Sequence, residues 1–153
     1  MSDHLTFLQL RRYFIRGLMT ERLSIESIVQ RVRDEFGSKA ALFGHVALRM
    51  NALDCPDFEK TKYAGVYVFV HDIYGCVKVG KSQSNASKRA LEHCRDNTSS
   101  KDGAIRMADL RNCDKTQLLI FTLQKTDSMH WVLALEHFLE NTLKPRICSI
   151  RNG

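Results

Sequence analysis

Apolar residues recur at helical intervals over the first third of the chain and give way to dense runs of β-formers in the middle. Leu5, Phe7, Leu8, Leu10, Phe14, Ile15, Leu18 and Met19, interrupted by Arg11, Arg12 and Arg16, suit a helix with a broad apolar face. Ile25, Ile28, Val29, Val32 and Phe36 fall at i, i+3, i+4, i+7 and i+11, which predicts a second helix. Ser24 is placed to cap it, Leu23 to staple onto Ile28, and Gly37 to end it. Ser38 then starts a predicted third helix carrying Leu42, Val46, Met50 and Leu53 on one side and stopping near Asp54-Cys55-Pro56.

Beyond this Pro-marked linker the period changes. The stretch from Gly65 to Ser82 holds two runs crowded with Val, Tyr, Phe and Ile, and the Asp72 to Gly75 segment between them has turn chemistry, so it reads as a β-hairpin. Asn85 can cap a helix to about residue 97 that carries Lys88, Arg89, Glu92 and His93. A polar loop over residues 97–103, a short helical stretch with Ile105, Met107 and Leu110, and a buried strand over residues 116–123 follow. Asp127 or Ser128 would cap the last helix, which Pro145 forbids from running much past Leu143. The expected architecture is α+β: a small antiparallel sheet of three strands flanked by helices over residues 61–153, preceded by a helical extension over residues 1–60.

Composition adds three constraints. The net charge of +6 is uneven, with 9 Lys/Arg against 8 Asp/Glu in residues 1–60 and 14 against 9 in residues 61–153. The basic excess therefore belongs to the hairpin-bearing part, where it favours phosphate-rich partners. Five Cys with no C-x-x-C pair argue against a disulfide framework and a structural zinc site. No apolar run approaches a bilayer span and no secretory signal pattern opens the chain, so a cytoplasmic protein that does not engage membranes is expected.

Glu136 is notable on the last helix. A helical wheel sets it among Met129, Val132, Leu133, Leu139 and Leu143, inside the apolar stripe. A buried carboxylate must be protonated, paired with a cation or bound to a metal. The structural alternative is a salt bridge to Arg89 or to a Lys of the hairpin.

Gly65-Val66-Tyr67 on the first hairpin strand, Lys78-Val79-Gly80 on the second, Arg89 on the next helix and Glu136 followed by Lys144-Pro145 together resemble the GIY-YIG nuclease superfamily. The resemblance covers residues 63 to about 148. Lys78 stands where most members have Tyr, as in some restriction-type and phage-borne members, and Cys148 stands where members often have Asn.

The resemblance implies a metal-dependent endonuclease that hydrolyses DNA phosphodiester bonds, with RNA not excluded, using one Mg²⁺ or Mn²⁺ held by Glu136. A single carboxylate suits Mg²⁺, which keeps most of its waters and accepts a phosphate oxygen. Arg89 would clamp a non-bridging oxygen. Tyr67 would take the proton of the attacking water if nearby cations such as Lys78 favour its phenolate; Lys78 itself is the other candidate base. His93, four residues after Arg89, shares its helix face and would bind the nucleophile or a phosphate. Lys81, Ser82 and Lys88 are candidate contacts to backbone phosphates, with Lys88 also expected to pair with Glu92. Tyr63 and Tyr74 are weaker substitutes for the base. One such site cuts one strand, so double-strand cleavage implies a homodimer or successive nicks. The competing readings are a noncatalytic nucleic-acid-binding module with the same fold, and an interaction protein whose basic side is incidental.

Overall fold

Burial of two dense β-forming runs requires cover on both faces, and the computed structural model, which describes residues 22–125 and 129–148, supplies it with helices. The described elements are α1 (Ile25–Phe36), β1 (Phe43–Arg49), β2 (Gly65–His71), β3 (Gly75–Ser82), α2 (Ala86–Arg95), α3 (Met107–Leu110), β4 (Thr116–Leu123) and α4 (His130–Leu143). Two 3₁₀ turns, Gly37–Leu42 and Pro56–Thr61, flank β1. The strands form one antiparallel sheet in the order β1-β4-β2-β3.

The sheet thus has four strands where the pattern predicts three. The segment expected as a third N-terminal helix is β1, paired with β4 from Phe43↔Leu123 to Arg49↔Gln117. Its apolar positions at four-residue spacing fit a helix as well as a strand, and pairing with the buried β4 decides between them. The expected helix over residues 5–19 and the expected caps Asp127 and Ser128 lie outside the described residues.

Other local predictions hold. Ser24 caps α1 through its side chain, with Ser27 returning the bond in a capping box, and Gly37 follows with φ 53°. Asn85 caps α2, its Oδ1 accepting from the Lys88 N–H at 2.9 Å.

Each sheet face has its own core. Val66, Val68, Val70, Val79, Leu119 and Phe121 pack with Ile28, Val29, Leu135 and Leu139 of α1 and α4. Tyr67, Phe69, Val77, Leu118 and Ile120 pack with Ala86, Ala90, Cys94 and Met107 of α2 and α3. Among the described residues, no helix is long and apolar enough to cross a membrane.

Candidate active site at the end of the hairpin

Strand alternation dictates which hairpin side chains share a face, and one irregularity resets it. Phe69 pairs with Lys78, but the next residue, Val70, pairs with Cys76, leaving Val77 as an extra residue in β3. This bulge puts Val77 and Lys78 in succession on the α2 side. Alternation then places Gly80 beside Tyr67 on that side, and Val79 and Lys81 on the α4 side.

Both motif glycines are required by close approach. A Cβ at Gly80 would overlap the Tyr67 hydroxyl and ring, so the phenol lies across residue 80. A Cβ at Gly65 would overlap the Phe121 carbonyl oxygen of β4. The glycines therefore let the Tyr67 ring lie flat and let β2 close on β4.

Tyr67 is 2% exposed, and its hydroxyl lies 2.7 Å from His93 Nε2 on α2. The rings are 5.8 Å apart. Burial, with the Lys78 and Arg89 charges adding to it, pushes His93 down to about 4. His93 is therefore neutral near pH 7. Its Nδ1 lies 3.3 Å from Thr98 Oγ1, and in the tautomer that donates there, Nε2 is free to accept the Tyr67 proton. Burial raises the Tyr67 pKa well above the ordinary tyrosine range, and the opposing Arg89 charge only partly offsets it. The expectation that cations hold Tyr67 near its phenolate thus fails for the free protein, where desolvation outweighs them.

Lys78 is 3% exposed, and burial lowers its pKa; Glu140 opposes this and Arg89 reinforces it. Its strand is extended by the C-terminal segment, where the Arg146 N–H donates to the Cys76 carbonyl and the Ile147 N–H to the Val77 carbonyl. Arg89 is half-exposed, its Nη1 2.9 Å from Glu92 Oε2. This replaces the Lys88–Glu92 pair expected from spacing, because i, i+3 neighbours also share a helix face. Lys88 itself is exposed.

On the other side of β3, Glu136 of α4 is 7% exposed and receives Lys81 Nζ on Oε2 at 2.7 Å. The wheel's placement of this carboxylate in the apolar stripe is correct, beside buried Val132 and Leu139, although Leu133 is 53% exposed. The partner is a hairpin Lys, one of the two alternatives named for a salt bridge. Glu136 also acts electrostatically on Tyr67 and Lys78, so the two faces meet around the edge strand β3.

Ser82 Oγ accepts from the N–H groups of Ser84 and Asn85 at 3.2 and 3.0 Å, closing the turn from β3 into α2. Of the substitute bases, Tyr74 stacks on His71 at the hairpin turn, the far end of β2 and β3 from Gly80. Tyr63 is exposed, with its carbonyl accepting from the Ala86 N–H at the start of α2. Glu92 and Thr98, which orient Arg89 and His93, are the residues that sequence reasoning did not assign to the site. Glu92 was legible at i+3 from Arg89; Thr98 lies beyond the helix end and gave no signal.

Among the described residues, no group of three or more His, Cys, Asp or Glu is placed to hold a metal. The donor set is one carboxylate at a cation-rich edge. It suits a hard ion such as Mg²⁺ that takes its remaining oxygens from water and a phosphate, and it does not suit a nitrogen and sulfur cage. No protein-family model, curated protein or solved structure matches the chain.

Proposed function

We propose that this protein is a Mg²⁺- or Mn²⁺-dependent endonuclease of the GIY-YIG type that hydrolyses DNA phosphodiester bonds. The observation that carries the reading is the Tyr67 hydroxyl held at 2.7 Å on the neutral imidazole of His93, beside the cations Lys78 and Arg89. Burying a lysine is costly, and an anionic ligand at this edge would offset that cost.

In this mechanism Lys78 and Arg89 bind non-bridging oxygens of the scissile phosphate, where charge builds as water attacks phosphorus. Tyr67 takes the water's proton on its oxygen while passing its own to His93 Nε2, so no standing phenolate is needed. The bound phosphate, as an anion near His93, counters the two cations that depress its pKa and strengthens it as the proton's destination. Glu136 would hold the divalent ion, which supplies charge for the phosphate and for the departing 3′ oxygen. Lys81 and Lys88 contact flanking phosphates.

The Lys81–Glu136 pair favours a second reading, in which the carboxylate is purely structural and the chain binds nucleic acid without cutting it. Nicking of supercoiled plasmid that needs Mg²⁺ or Mn²⁺ and is lost in Glu136→Gln supports the nuclease. Binding without cleavage supports the module instead.

A further inference from the structure

We propose that Lys81 is an exchangeable counter-ion, held on Glu136 in the free protein and released to a substrate phosphate, so that substrate and divalent cation bind cooperatively. This rests on the nuclease reading of the same edge.

Three observations lead there. Glu136 is nearly buried, and an uncompensated carboxylate in that position is costly, so some cation must always face it. Lys81 Nζ now fills that role at 2.7 Å. A divalent ion on the same carboxylate would lie within a few ångströms of the ammonium, where like charges repel strongly at reduced dielectric. Full occupancy by both is therefore unfavourable.

The side chains differ in freedom. The Lys81 side chain is 31% exposed and that of Glu136 only 9%, so the ammonium, on its flexible four-carbon stem, is the partner able to swing away. A phosphate oxygen at the β3 edge offers it an equivalent charge-assisted bond. Substrate thus removes the competitor from Glu136 as it supplies the ion's remaining oxygen ligand. By linkage, the ion raises affinity for substrate by the same factor.

The test has two arms. In the first, Mn²⁺ is titrated into wild type, Lys81→Met, Lys81→Gln and Glu136→Gln without DNA, with free Mn²⁺ read by electron paramagnetic resonance and folding checked by circular dichroism. Both Lys81 variants should bind Mn²⁺ about tenfold more tightly than wild type, and Glu136→Gln should lose the site. In the second, needing no Lys81 variant, affinity for a labelled duplex is measured by anisotropy with and without Mn²⁺ in the non-cutting Tyr67→Phe background. Mn²⁺ should tighten binding about tenfold, an effect absent when Glu136→Gln is added.

Equal Mn²⁺ affinity in wild type and a folded Lys81 variant, or duplex binding indifferent to Mn²⁺, overturns the exchange. If Mn²⁺ binding still depends on Glu136 in that case, the metal-dependent nuclease reading survives. No Glu136-dependent Mn²⁺ binding in any protein, with or without duplex, overturns both.

Discussion

Tyr67 and Gly80 face each other across the hairpin, and the phenol occupies the space that a side chain at residue 80 would need. The His93 contact depends on that arrangement, because the hydroxyl reaches Nε2 only from a ring lying over bare backbone. Gly80→Ala should therefore displace the ring. Overpacking of this kind costs about 1–3 kcal/mol, readable as a lower urea midpoint at unchanged slope. Nicking should fall by at least about 100-fold, the scale of general acid–base catalysis. A variant of near wild-type activity would show that the phenol's position is unimportant.

Lys78→Met separates function from stability. A buried amine with a lowered pKa carries a cost at pH 7 that a thioether of similar length does not. The variant should be at least as stable as wild type near neutrality and have no detectable nicking, the trade-off expected of a residue kept for its chemistry. The sign also sets a pH signature. With its folded pKa below the unfolded value of 10.5, Lys78 gives up its proton first on folding, so its contribution to stability grows as pH rises toward that value. Burial raises the pKa values of Cys76, Cys94 and Tyr67, which costs stability as pH rises over the same range. Lys78 offsets part of that fall, so denaturation midpoints should drop more between pH 7 and 10 in the Met variant than in wild type.

How much of this was legible in the chain follows from the range of the forces involved. Local signals were readable: the Ser24 and Asn85 caps, the hairpin runs, and the burial of Glu136 all follow from spacing within one element. The strand at Phe43–Arg49 was not, because Ala47, Leu48 and Arg49 form helices readily and only β4, some 70 residues on, makes this stretch a strand. The bulge between Phe69 and Val70 is equally invisible, yet it sets which face Lys78 and Lys81 take. Resemblance gathered Tyr67, Lys78, Arg89, His93 and Glu136, but it did not reveal that Lys81 stands on the carboxylate or that the Tyr67 hydroxyl lies within hydrogen-bond distance of His93 Nε2.

Acid should weaken the fold through His93. Its folded pKa of about 4 lies below the ordinary 6.5, so the unfolded chain binds the extra proton between those values. The stability His93 contributes is complete above pH 6.5 and is lost as pH falls toward 4. Burial lowers His71 in the same direction. His93→Gln, which can still accept from Tyr67, should lose less stability over this window than wild type, leaving the His71 share. Parallel midpoint curves from pH 7 to 4.5 would contradict the placement of His93.

As proposed, the side chains around β3 cut DNA with a divalent ion on Glu136. The most direct measurement is the rate of conversion of supercoiled plasmid to nicked circle by wild type and Glu136→Gln, each in Mg²⁺, Mn²⁺ and EDTA, with duplex binding measured in parallel. Wild type should nick in either metal and not in EDTA, and Glu136→Gln should lose at least about 100-fold with duplex binding largely retained. Equal nicking by both proteins, or duplex binding by folded wild type with no cleavage in any metal, would contradict the proposal.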